Sequence, residues 1–164
     1  MRRIAMLTLA AVVVAAVTKA QTGGAPAAVT VDTAAAKMGI DSLRARFIRM
    51  QLAGDTGIVN LYTDDATIDQ YGAPRTKGKA AIAAAIKMDF GMRKYTVSEI
   101  NPIATNVRTN EAGSEIGTYH DMHDVKGKRD HEWGRYVVGF MKGTDGNWRL
   151  SYLMAFPDST KVEK

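Results

Sequence analysis

The 164-residue chain contains no cysteine. Disulfides, thiolate metal sites and a lipid-modified cysteine behind a leader are therefore excluded, and stability must come from a packed core. A phosphate-binding loop, a Gly-rich dinucleotide fingerprint and a G-x-S-x-G nucleophile turn are also missing. Long apolar runs are scarce. One occurs, the roughly fourteen residues from Ile4 to Val17, behind Arg2 and Arg3 and ahead of Thr18-Lys19-Ala20. A basic start, a short apolar stretch and small residues at −3 and −1 are the layout of a secretory signal peptide. The run falls short of the ~20 residues that span a bilayer, and no second one follows. Residues 1–20 are thus expected to be a leader, and the mature protein to be exported, periplasmic or secreted, with no membrane partner once the leader is removed.

A strong charge of one sign is lacking too. Taking Arg2, Arg3 and Lys19 away from 22 basic residues leaves 19 against 17 acidic ones, a formal charge of +2 rather than +5. Lys and Arg are interleaved with Asp and Glu, without the basic stripe of a nucleic-acid binder. No nucleic-acid partner is expected.

What is present divides into helices followed by strands. Residues 21–36 begin Gly-, Pro- and Ala-rich and predict a flexible spacer. Ile40, Leu43, Phe47 and Met50 recur at helical spacing. Gly54 is placed to end that helix, and Asp55 to cap a short second one carrying Ile58, Leu61 and Tyr62. "ATIDQY" alternates like a strand, "GAPRTKG" is a loop, and Lys79 to Met88 predicts a third helix. Four strands follow, "YTVSEINPIATN", "AGSEIGTYHDMHDV", "RDHEWGRYVVGFMK" and "NWRLSYLMAF", with turns at "KGK" and "GTDG". This order is an α+β pattern.

A helix ending in "GD", a short helix ending "LYTDDAT", a strand, "G…KGKAAI" and hairpin strands carrying "GRYVVGFMKGTDGNWRL" together resemble the SnoaL-like group of the nuclear transport factor 2-like superfamily. The resemblance runs from about Ile40 to Phe156, within a domain placed at 37–164. It implies an α+β fold in which a curved antiparallel sheet wraps around N-terminal helices, cone-shaped with an internal pocket, often as a homodimer. That fold hosts isomerases, cyclases, dehydratases and non-catalytic modules, so function has to be argued from the site.

Asp64, Asp65 and Asp69 crowd one short stretch. Strand alternation turns Ala66 and Ile68 toward the core and Asp69 away, and Asp64 and Asp65 suit a polar linker. A ketosteroid isomerase needs a carboxylate base and two oxyanion donors, one of them a tyrosine. Carried over by motif, those places fall on Gln70, Phe47 and about Gly139, none able to serve, so catalysis of that type is not expected.

Folding the hairpin about Gly127-Lys128 sets Met122 opposite Trp133, His120 opposite Arg135, and Thr118 opposite Val137, and such partners share a face. By the resemblance, Ile116, Thr118, His120 and Met122 face the pocket. The last strand would add Trp148, Leu150, Tyr152, Met154 and Phe156. Phe47, Gln70, Thr118, Met122, Trp133, Arg135, Tyr152 and Met154 are therefore the expected ligand-binding residues. Arg135, similar to an Arg common in related sequences, would meet an anionic group. The leading expectation is a pocket for a small, largely apolar or aromatic molecule. One alternative is a cyclase, isomerase or dehydratase with His120 as its catalytic acid/base. Another is a non-catalytic assembly module dimerising through Tyr136, Val138 and Phe140, on the face that also carries Tyr119, Asp121 and His123. His120 and His123 point to opposite faces, and His120 and Asp124 lie about 13 Å apart at roughly 3.3 Å per residue. Asp124 and His131 are expected to pair across the hairpin tip. No metal and no cofactor is expected.

Overall fold

The computed structural model describes residues 30–163. The leader and residues 21–29 of the spacer lie outside the described residues.

Helix α1 spans Thr33–Ala53. Its start is set by Asp32, whose side chain accepts from Ala35 N at 2.9 Å, so the helix begins four residues inside the segment expected to be spacer. Gly54, at φ 62°, ends it in the left-handed conformation that glycine tolerates. Asp55 accepts from Gly57 N at 2.8 Å and opens a 3₁₀ turn, Thr56–Leu61. Strand β1 is Tyr62–Gln70, β2 is Thr76–Lys77, and helix α2 is Lys79–Met92. Four long strands follow: β3 (Lys94–Val107), β4 (Ala112–Val125), β5 (Lys128–Lys142) and β6 (Trp148–Val162).

The sheet runs β2-β1-β6-β5-β4-β3. Its pairings are antiparallel except β1 with β6, which is parallel. Asp64 and Asp65 belong to β1 rather than to a linker. They sit where its pairing with β6 is interrupted, between Tyr62 and Thr67, and both are exposed. Asp69 points out of the core to Arg75, at 2.7 Å. Among the described residues no helix is long and apolar enough to cross a membrane.

The helices fill the concave side. Ile40 from α1, Leu61 from the 3₁₀ turn and Ile82 from α2 are fully buried. Each such side chain stabilises the fold by about 1.5–3 kcal/mol relative to exposure. The sheet contributes Tyr136, Val138 and Phe140 from β5 and Trp148 and Leu150 from β6 to this core.

Those sheet residues correct the expected faces. Tyr136, Val138 and Phe140 are 6%, 5% and 4% exposed. They meet the helices and offer no surface to a second copy. Alternation then puts Glu115, Gly117, Tyr119, Asp121 and His123 of β4 inside, and Ile116, Thr118, His120 and Met122 outside. The hairpin register also differs by two residues. Lys126 and Gly127, at φ 52° and 80°, form the two-residue turn that suits strand twist. His120 therefore faces Trp133, Thr118 faces Arg135, and Met122 faces His131. Asp124 consequently pairs with Arg129, at 3.3 Å, and not with His131. On β6 the extra residue Ser151 breaks the pairing between Gly139–Tyr152 and Phe140–Leu150. Such a bulge reverses the alternation, so Leu153 and Ala155 turn inward while Tyr152, Met154 and Phe156 turn outward.

Candidate small-molecule cavity

The cone encloses a cavity of about 300 Å³ between α1, α2 and the concave sheet. That is the lower end of the range for small-molecule sites. Phe47, Ile58, Ile68, Ile86, Phe90 and Leu153 belong to its apolar wall. Of the residues expected at the ligand, Phe47 and Gln70 line it. Phe47 comes from the inner face of α1, and Gln70 ends β1 at the rim.

The others do not line it. Thr118, Met122, Trp133 and Arg135 are on the convex face, for the alternation given above. Tyr152 and Met154 join them because of the Ser151 bulge. Tyr152 Oη donates to Asp69 at 3.1 Å on that outer side. Arg135 grips Asp158 at 2.7 Å with both side chains open to solvent, so the expected anion site is not in the cavity. His120, the expected acid/base, is also outside, stacked on Trp133. Gly139 is absent from the lining, whereas its neighbours Val138 and Phe140 contribute to it.

Two polar groups lie within the apolar wall. In the first, Glu115 of β4 is 2% exposed. Arg44 of α1 forks onto it, with Nε at 3.2 Å from Oε1 and Nη2 on the second oxygen. Tyr136 Oη donates to the same carboxylate at 2.8 Å and Thr105 Oγ1 at 2.6 Å. Burial opposes the Arg44 charge, but the bonds to Glu115 and Asp41 outweigh it and hold the guanidinium above its ordinary pKa. Every partner here is matched, which is how a buried charge is made tolerable.

The second group surrounds Asp121, six residues further along β4. Gln51 of α1 donates from Nε2 to Asp121 Oδ2 at 3.3 Å. Ser98 of β3, opposite Asp121 in register, faces the carboxylate and lies 3.4 Å from Gln51 Oε1. Among the described residues no cation reaches it in hydrogen-bond range. Desolvation pushes Asp121 up to about 6, against the lowering effect of the Ser98 and Gln51 bonds, and Glu132 adds to the rise. Around it, Tyr119 Oη donates to Glu132 at 2.7 Å and Tyr95 Oη to Asp89 at 2.8 Å. Burial, then those carboxylates, raise both phenols, so they remain proton donors. His123 is 5% exposed, beside the Tyr95 ring. Desolvation and then Arg93 lower its pKa, and its Nδ1 has no partner.

Two glycines make this arrangement possible. A Cβ at Gly117 would lie 2.6 Å from Tyr136 Oη, and one at Gly134 would lie 2.5 Å from the Tyr119 ring. Gly117 faces Tyr136 and Gly134 faces Tyr119 across the β4–β5 pairing. Each tyrosine lies over its glycine and reaches a carboxylate. Sequence reasoning places Tyr119 and Asp121 only on the face expected to dimerise, and does not single out Gln51, Ser98 or Glu132. The signal that could have found them is the apolar stripe Tyr136-Val138-Phe140, which marks the buried face and carries its β4 neighbours with it.

Among the described residues no group of three or more His, Asp or Glu side chains is placed to hold a metal ion. What the site can do is bind a small apolar or aromatic body and exchange a proton with it at Asp121.

Neither a protein-family model nor a curated protein matches the chain. Solved structures do match in fold. A ketosteroid isomerase-like protein from Erwinia carotovora atroseptica aligns with TM-score 0.67 at 14% identity, over 74% of this chain and 95% of its own. A hexachlorocyclohexane dehydrochlorinase, type 2, aligns with TM-score 0.66 at 15% identity, over 80% and 90%. A nuclear transport factor 2-like protein with a cystatin-like fold, from Novosphingobium aromaticivorans, aligns with TM-score 0.61 at 17% identity, over 77% and 84%. The chain has the nuclear transport factor 2-like, cystatin-like fold.

Proposed function

We propose that the protein, exported by its leader, takes a small, largely apolar or aromatic molecule into the cone and moves a proton on it through Asp121. The observation that carries this is Asp121 itself. It is a carboxyl in the cavity wall that, among the described residues, has no cation in hydrogen-bond range; it is held by Gln51 and Ser98 and raised to about 6. A carboxyl poised near neutrality both accepts and returns a proton, as isomerisation, dehydration or elimination requires. An isomerase-like protein and a dehydrochlorinase share the fold, which supports that class of chemistry. In this reading Asp121 is the base, and Gln51 and Ser98 position it, while the Tyr95 and Tyr119 hydroxyls are held by Asp89 and Glu132.

The test has two arms. Native mass spectrometry of the purified protein is expected to show a co-purifying small molecule, or binding of aromatic and alicyclic probes. Turnover of a bound probe should follow a single ionisation near pH ~6 and vanish in Asp121→Asn. Binding that persists in the variant without turnover in either form would leave a ligand carrier. That second reading is favoured by Phe47 and Gln70, which line the cavity with side chains that do not titrate.

A further inference from the structure

The outer face of the sheet carries a cluster that the cavity does not use. Glu99 of β3, His120 of β4, His131 of β5 and Glu163, just past β6, form an unbroken chain. His120 Nδ1 is 3.3 Å from Glu99 Oε2, His120 Nε2 is 3.1 Å from His131 Nδ1, and His131 Nε2 is 2.9 Å from Glu163 Oε1. A carboxylate only accepts, so each outer nitrogen must carry a hydrogen. The central contact needs one more, on either inner nitrogen. Three protons on two imidazoles leave one positive charge. With two protons, one of the three bonds is lost. With four, two donors face each other across the centre and that bond is lost.

The Trp133 ring lies parallel to both imidazoles. Its centroid is 4.7 Å from His120 at 3° and 5.2 Å from His131 at 14°. An aromatic face favours a cation set against it. We propose that His120 and His131 hold three protons between them, a single shared imidazolium against Trp133 that latches the end of β6 to β3.

Charges of both signs surround the pair. Lys161 stands opposite His131 on β6, and Arg129 of β5 lies 3.9 Å from Glu163 and 3.3 Å from Asp124 of β4. Arg135 is occupied by Asp158. The His131 bond, with Arg129 and Lys161 behind it, holds Glu163 below its usual range, so it stays an acceptor. On β3 the facing charge is Glu99. Through the sheet, Asp121 and Glu132 adjoin His120 and His131 in the chain, and a charge at His120 favours ionised Asp121. The latch thereby biases the group that the proposed function uses. That consequence rests on the role given to Asp121, whereas the proton count is read without any ligand or turnover.

The test is ¹⁵N-histidine NMR of the full-length protein at neutral pH, with amide exchange followed at Lys161 and Glu163. His120 and His131 should show three protonated ring nitrogens between them, the fourth, at the centre, accepting. His120→Gln should remove that pattern, speed exchange at both amides roughly tenfold, as loss of a charge-assisted hydrogen bond does, and raise the midpoint of Asp121. Glu163→Gln, which leaves both rings in place, should release the same amides. Two or four protonated ring nitrogens on the pair, or exchange at the end of β6 indifferent to both substitutions, would overturn the proposal.

Discussion

Glu115 and Asp121 lie on one strand, face the same interior and carry the same chemical group, yet the fold treats them oppositely. Glu115 is 2% exposed and meets a guanidinium, a phenol and a hydroxyl. Asp121 meets an amide and a hydroxyl and is pushed up to about 6. The difference comes from α1. Arg44 and Gln51 are seven residues apart, two helical turns, so they lie on one stripe and reach β4 at two heights. Where the stripe offers a charge, the carboxylate is fixed as structure. Where it offers an amide, the carboxylate keeps a proton affinity that chemistry can use. A saturated charge teaches little about function, and a deliberately incomplete one teaches much.

The comparison breaks most visibly if its saturated half is cut. Arg44→Met leaves Glu115 buried without a counter-charge and is expected to cost about 3–5 kcal/mol, read from urea unfolding. A loss under ~1 kcal/mol would mean that Tyr136 and Thr105 suffice and that the two carboxylates differ less than argued.

The incomplete half should respond in the opposite direction. The folded pKa of Asp121, about 6, lies above its ordinary 3.8. Between those values the folded state holds a proton that the unfolded chain has released. Stability therefore falls as pH rises through that window, and ionised Asp121 remains a burden above it. Asp121→Asn should be more stable than the parent at neutral pH by about 1–3 kcal/mol and should lack that slope, as chemical denaturation over a pH series will show. A variant less stable than the parent at neutral pH would mean that Asp121 is held by a cation after all.

Smaller effects sharpen the picture. Ile86→Trp narrows the cavity from the α2 side and should weaken binding of any captured probe roughly tenfold, about 1.4 kcal/mol, by calorimetry. Unchanged affinity would place the ligand elsewhere. Arg135→Ala should leave both the unfolding midpoint and probe binding unaltered, because its pair with Asp158 is solvent-exposed and screened.

Much of the architecture was legible. The helical spacing of Ile40, Leu43 and Phe47, the stops at Gly54 and the "KGK" and "GTDG" turns located helices, strands and hairpins, since each is a local signal of a few residues. The inward or outward sense of β4 was not legible from β4 itself. Its buried parity is Glu115, Gly117, Tyr119, Asp121 and His123, which looks polar until Arg44 and Gln51 arrive from α1. Apolar patterning misleads where a polar network is buried whole. The register slipped by two residues because "VKGK" admits more than one turn, and Lys126 and Gly127 at positive φ decide which. Tyr152 and Met154 were misplaced by one extra residue, Ser151, since the side-chain period is two and a bulge inverts everything beyond it.

By itself the sequence determined the α+β order, the absence of disulfides and the stretch from Ala66 to Gln70, whose alternation alone points Ala66 and Ile68 inward and Asp69 out. Only the tertiary structure decided which carboxylate meets a counter-charge and which does not. Exposure, counter-charge and desolvation depend on groups brought from β3, β5 and α1, 71 positions away for Arg44 and Glu115 and 70 for Gln51 and Asp121, and no local pattern around either carboxylate encodes them.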